Sequence, residues 1–285
     1  MPFQSRPPDK VFDMIDALGG SVWTSVTDMA VGGAAVARAE IENMYVPDKA
    51  KTLLGWRPID YATDQAVSES ALAVFDISGG NYNFQPQEVI CGNVANSILT
   101  DAAGMLHAAS EYFDVFAPVS GGEQISIGVE PVDAIAGNRR SGAEFTWTDV
   151  KLPLPTIRSY CSREVAVTAA TAGIIAATTL TLSHAHKLVE IDAAATHALP
   201  TIEEEMNITA IFRCNALPIN EIKIMLEPVG CLADLGTDEG TALAYLSRRL
   251  QSLKFSQESA TVYCDMDVDV AQTAAGQFVH CLRYI

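Results

Sequence analysis

Residues 142–147 read Gly-Ala-Glu-Phe-Thr-Trp, and residues 276–280 read Gly-Gln-Phe-Val-His. Each run opens on glycine and then places large side chains at alternate positions, the period of a strand. The two runs belong to a longer self-similarity. Sliding the chain on itself by about 137 positions aligns further segments in the same order. Ala50–Leu54 faces Ala185–Val189, Leu72–Phe75 faces Thr209–Phe212, Gly92–Val94 faces Gly230–Leu232, and Thr100-Asp101 faces Thr237-Asp238. Ordered matches with small gaps indicate one β unit present twice.

The rest of the sequence agrees with a chain made mainly of strands. Short β-type runs recur at Ala39–Val46, Ala71–Ile77, Gln87–Cys91, Tyr112–Phe116, Ile125–Val129 and Glu144–Thr148. They recur again at Glu164–Thr168, Leu180–Leu182, Lys187–Ile191, Ile208–Cys214, Glu221–Leu226, Ala260–Val270 and Gln277–Arg283. Turn residues separate them, as at Gly79-Gly80-Asn81, Ser120-Gly121-Gly122 and Gly137-Asn138. Two helices are expected. Asp9–Leu18 puts Val11, Phe12, Ile15 and Leu18 on one face before Gly19-Gly20, and Ala242–Leu253 spaces Leu243, Leu246, Leu250 and Leu253 helically. The reading is an all-β fold of two tandem jelly-roll barrels, with an arm at 1–29, barrels at 30–151 and 157–285, and a proline-rich linker at 152–156. An eight-stranded jelly roll with strands of about 5–6 residues fits such a length.

Composition narrows the functions available. Of 285 residues, 49% are hydrophobic, which excludes a disordered chain. With 35 acidic and 18 basic residues the net charge is −17, unsuited to an exposed groove for DNA or RNA. The six cysteines, at 91, 161, 214, 231, 264 and 281, form no C-x-x-C pair and read as reduced, partly buried thiols. No basic region followed by an apolar run marks a signal peptide near Met1. The uncharged stretch Val165–Ser183 is rich in threonine and alternates at Thr179–Leu182, so it reads as strands joined at Ala172-Gly173 rather than as a membrane span.

Motifs for catalysis are sparse. His184-Ala-His186-Lys-Leu-Val-Glu190 has the H-x-H-x3-E spacing that resembles the first metal motif of cupins, and alternate positions on a strand could aim both imidazoles at one metal. The glycines that flank that motif in cupins are missing, and Pro228-Val-Gly230 is followed by Cys231-Leu-Ala233 instead of a histidine. No metal, cofactor or catalytic residue is therefore assigned. Asp265-Met-Asp267-Val-Asp269 lacks the glycine and glutamate of a calcium loop and reads as a solvated acidic strand face. Glu203–Glu205 reads as an exposed loop or helix start, and Arg139-Arg140 as part of a turn. No nucleophile elbow, P-loop or dinucleotide fingerprint is present.

Two tandem β halves without catalytic motifs resemble the double jelly-roll major capsid proteins of tailless icosahedral viruses. The resemblance rests on architecture and on the repeat, from about Ala30 to Ile285. It implies a structural protein and not an enzyme: a homotrimer forming a pseudo-hexagonal capsomer of a virion shell, made in the host cytoplasm. Its partners would be copies of itself, other capsid or membrane-associated viral proteins and an internal lipid membrane, without direct nucleic acid contact. The arm would tie subunits to neighbours or to that membrane, and loops Gly79–Asn83 and Ser120–Glu123 would form the exposed top or the seams between capsomers. Two rivals have concrete residues: a duplicated cupin-like enzyme using His184, His186 and Glu190, and a β-sandwich binding module using Trp23, Trp56, Tyr82 or Tyr112.

Overall fold

The computed structural model describes residues 9–27, 30–32, 39–62, 69–79, 87–95, 105–109, 112–132, 139–162, 165–167, 173–199, 208–233, 240–269 and 276–285. The opening stretch forms the inner face of a strand. In β10 (Arg139–Thr148) the side chains of Ala143, Phe145 and Trp147 point inward, and Trp56 of β4 (Thr52–Ala62) stands opposite Phe145 in register. The three rings stack in sequence, with centroids 6.0 Å and 5.6 Å apart, and the Trp147 indole N–H donates to Ser25 Oγ at 2.8 Å.

Around β10 the first half builds two antiparallel sheets. One runs in the order β1 (Val22–Val26), β10, β4, β8 (Phe113–Pro118), with the short β2 (Ala30–Gly32) also on β10. The other runs β3 (Ala39–Tyr45), β9 (Gln124–Pro131), β5 (Glu69–Gly79), β6 (Glu88–Ala95), β7 (Met105–Ala109). Counting β1 with β2 as a single position, and β7 as an added edge strand beside β6, gives eight positions. Their order is then first–eighth–third–sixth in one sheet and second–seventh–fourth–fifth in the other. That is the jelly-roll order.

The second half repeats it. Its first sheet runs β11 (Arg158–Cys161), β20 (Gly276–Tyr284), β14 (Lys187–Leu199), β18 (Gly240–Lys254), β17 (Glu227–Ala233), with β12 (Val165–Val167) on β20. Its second runs β13 (Gly173–Leu182), β19 (Ala260–Val268), β15 (Ile208–Arg213), β16 (Glu221–Met225). The same order of positions emerges, with β17 as an added strand beside the sixth. Three repeat matches join equivalent strands: β4 with β14, β5 with β15, and β10 with β20. Gly92–Val94 and Gly230–Leu232 do not, because β6 lies in the second sheet of its half and β17 in the first. Thr100-Asp101 and Thr237-Asp238 lie outside the described residues.

Three local expectations are corrected. The helix expected at Ala242–Leu253 is strand β18, hydrogen-bonded along one edge to β14 and along the other to β17. Ladders on both edges override the helical propensity of its Ala, Leu, Arg and Gln residues. Arg139-Arg140 opens β10, paired with Val31 and Gly32 on one side and with Tyr61 and Ala62 on the other, rather than turning. Asp265 is buried and ion-paired with Arg213, so the acidic face of β19 is only partly solvated. Within Val165–Ser183, β12 and β13 join different sheets. No described helix is long and apolar enough to cross a membrane.

The first helix, α1 (Asp9–Ala17), ends as read, with Gly19 in the left-handed region at φ 67° and the Gly20 amide donating to the Ile15 carbonyl at 2.9 Å. Val11 and Ile15 are buried against Leu54, Phe116 and Leu152, whereas Leu18 lies past the last turn and is exposed. The helix docks on the outer face of its own first sheet. Phe116 faces it because Phe113, Val115 and Ala117 alternate into the core, and Phe116 takes up positive φ where the register to β4 shifts.

Candidate assembly interface

The surface where the halves meet is built by strands buried on both faces. In β5, Ala73, Phe75 and Ile77 enter the first-half core, while the alternate Leu72 and Val74 point out of the barrel. In β20, Phe278 and Leu282 enter the second-half core, while Val279 and Cys281 point out. The outward residues meet: Leu72, Val74, Ile90 and Val132 pack on Cys161, Ala194, Val279 and Cys281. The seam thus sets the second–seventh–fourth–fifth sheet of one barrel against the first–eighth–third–sixth sheet of the next. Strands covered on both faces become continuously apolar, as in Leu72-Ala-Val-Phe75.

Polar contacts fix the seam's register. Arg283, on the outward face of β20, pairs with Glu190 of β14, and both are buried. Its Nη2 also donates to the Asp114 carbonyl of the first half at 2.5 Å, and its guanidinium lies 5.2 Å from the centre of the Phe113 ring. Burial works against the charge, but Glu190, Asp192 and Asp114 outweigh it and push the Arg283 pKa up. On the other side of the seam, Gln87 Nε2 donates to the Ile157 carbonyl at 2.5 Å, and the Cys161 amide donates to Glu88 Oε2 at 2.9 Å. Leu152, Leu154 and Ile157, in the segment between the halves, pack beside α1.

The seam uses one outer sheet face from each half; among the described residues, the opposite outer face of each half carries exposed side chains. On the second half, the free face of the β13–β19–β15–β16 sheet carries Ile174, Asp267, Thr209 and Met225 side by side in register. A further row on the same face reads Thr179, Tyr263, Arg213, Glu221, and between the two rows Ile211 and Asp265 are buried. Ile174, Met225 and Tyr263 are 62%, 60% and 50% exposed, large apolar groups gathered on one face. On the first half, the free face of the β1–β10–β4–β8 sheet carries Val26, also exposed, and the Arg57–Glu144 pair at 2.6 Å. The helix α1 covers part of that face, near Leu54 and Phe116.

The candidate catalytic and ligand residues do not assemble. His184 and His186 are exposed in the turn between β13 and β14, with His184 at positive φ, while Glu190 is buried and engaged by Arg283. Among the described residues no group of three or more His, Cys, Asp or Glu side chains could hold a metal ion. Of the aromatic residues considered for a ligand platform, Trp56 is fully buried, Trp23 packs against the same core and Tyr112 is buried over Gly55. Tyr82 and the rest of residues 80–83 lie outside the described residues, as do residues 203–205. Ser120–Glu123 is an exposed turn in which Gly122 has φ 79° and donates to the Val46 carbonyl at 2.9 Å. Five cysteines, at 91, 161, 214, 264 and 281, are buried and in no disulfide. The residues that build the seam, Arg283, Asp114, Glu88 and Cys161, carry no local motif. Only the period-2 burial of β5 and β20 on both faces signals them.

No protein-family model and no curated protein sequence matches the chain. Among solved structures it is similar to the STIV MCP, at 10% identity and a TM-score of 0.44, covering 93% of this chain and 97% of that one. It is also similar to a chain of the atomic structure of Sulfolobus Turreted Icosahedral Virus, at 8% identity and a TM-score of 0.43, over 93% and 91% of the two chains. A chain of infectious bursal disease virus, Gx strain, follows at 9% identity and a TM-score of 0.28, over 93% and 70%.

Proposed function

We propose that this chain is the major capsid protein of an icosahedral virus, with barrels at residues 30–151 and 157–285 and three chains closing a pseudo-hexagonal capsomer. The observation that carries the reading is the intrachain seam. It joins two unlike faces, so it is heterologous, and a heterologous contact propagates head to tail until it closes. Each chain presents the two unlike faces again, one at each end. The Ile174–Tyr263–Met225 face of one copy against the Val26–Glu144 face of the next would extend the row of barrels. Three chains give a ring of six, the closed arrangement that double jelly-roll capsid proteins imply.

A subunit with this role works by shape and burial rather than by bond chemistry. The placement of His184, His186 and Glu190 apart from one another supports a structural role over a cupin-like one, and the buried Trp56 and Tyr112, with the partly buried Trp23, weigh against a stacking platform. The charge of −17 suits a shell over a membrane or other proteins, with the genome at one remove, in a virion. The test is the solution mass of the purified full chain across a concentration series. A trimer supports the reading, and Ile174→Lys with Met225→Lys should return it to monomer with unchanged circular dichroism. A chain that stays monomeric throughout contradicts it.

A further inference from the structure

Two of the buried cysteines are partners across a ladder. Cys161 of β11 and Cys281 of β20 stand opposite each other in the antiparallel register. The neighbouring Ser162 amide donates to the His280 carbonyl at 2.7 Å, whereas the Cys161 amide points away from β20, to Glu88 Oε2. Cys161 and Cys281 therefore occupy a non-hydrogen-bonded pair, the site where Cα atoms approach to about 4.5 Å and side chains lie closest. That separation is within the range a disulfide spans. Both side chains turn to the seam, on the same face of the ladder. The Cys281 Sγ also faces the Glu88 carbonyl at 3.5 Å.

We infer that Cys161 and Cys281 are a redox couple whose oxidation ties the first strand of the second barrel to its last, at the face that meets the first barrel. The oxidant is a low-molecular-weight disulfide such as glutathione disulfide. One protein thiolate attacks it and releases one small thiol, forming a mixed disulfide. The second attacks the mixed disulfide, forms the Cys161–Cys281 bond and releases the other small thiol, the two protein protons ending on the two released thiols. In the closed seam both thiols are held protonated: burial pushes both pKa values up, and the carboxylates of Glu88 and Asp192 add to this. Exchange therefore proceeds when β11, a four-residue edge strand, is away from the seam, during folding or by local opening. The bond then fixes the strand that leads out of the segment between the halves.

The full chain, reduced and then refolded with glutathione disulfide, is alkylated, digested with trypsin without reductant and mapped by mass spectrometry. The expected product joins the peptide of residues 159–163 to the peptide of residues 255–283, two hydrogens lighter than their sum. It should persist in Cys264→Ala, which removes the other cysteine of the second peptide, and vanish in Cys161→Ala and in Cys281→Ala. The oxidised chain should melt several degrees higher than the reduced chain, reversibly with reductant. Oxidation of the already folded chain should be at least about tenfold slower than in urea just below its unfolding transition, one pKa unit being tenfold in thiolate. Absence of the linked peptide from refolded wild-type chain, or pairing of Cys161 with a different cysteine, overturns the inference.

Discussion

Replacing Arg283 by methionine tests the seam at its buried ion pair. Methionine keeps much of the side-chain volume but removes the guanidinium that pairs with Glu190, donates to the Asp114 carbonyl and covers Phe113. Glu190 is 4% exposed, so it cannot recover hydration without opening the seam. Breaking a buried pair from one side costs about 3–5 kcal/mol, because the remaining charge is stranded. That is a large part of a typical stability of about 5–15 kcal/mol. The expected fall in Tm is on the order of 10 °C. Urea unfolding at pH 7, followed by tryptophan fluorescence and circular dichroism, reads the loss. Arg283→Met with Glu190→Met should recover most of it, since apolar residues of similar volume can replace a buried pair at little cost. An Arg283→Met chain within about 1 kcal/mol of wild type, or a double variant as unstable as the single, would refute the reasoning.

Other perturbations have equally defined outcomes. His280 sits in the second core between Phe212 and Phe278, and burial pulls its pKa down to about 3. A histidine depressed from about 6.5 adds stability that is complete above that pH and lost as pH falls toward about 3, amounting to about 3 kcal/mol by pH 4.5. His280→Phe should remove that share of the acid sensitivity, and equal acid slopes for variant and wild type would contradict it. Gly55→Ala should destabilise by about 1–3 kcal/mol, because its Cβ would fall 2.3 Å from the Phe113 carbonyl oxygen and 2.7 Å from the Tyr112 ring. A Gly55→Ala chain that melts with wild type would show that the close approach relaxes freely. Phe145→Ala should cost about 3–5 kcal/mol through the cavity left between Trp56 and Trp147, read by the same urea titration.

The fold was legible to the extent that it is written in alternation and repetition. Phe145 and Trp147 alternate inward, Phe278 and His280 recur in the equivalent strand, and the structure places both pairs in their cores. The buried His280 is intelligible only through that equivalence, since it stands where the first half has Trp147. Strand β18 was not legible, because leucines spaced by three and four residues suit a helix and the ladders that decide otherwise come from residues far along the chain. The bulge in β8 beside Phe116 has no local signature either. The same limit hid the seam. Glu190 drew attention as the end of a histidine motif, but its partner is Arg283, 93 residues away. Arg213 likewise buries Asp265 from a neighbouring strand, which an alternating D-x-D-x-D run by itself does not disclose.

In the proposed assembly the intrachain seam recurs between chains. Electron microscopy of the purified full chain, with its mass measured in the same buffer, tests it most directly. Trimers closed through that contact give particles of three 30.5 kDa chains whose averages show six barrels around a ring, or closed shells built from them. Single two-barrel particles at every concentration, with the Ile174–Tyr263–Met225 face open to solvent, would contradict it.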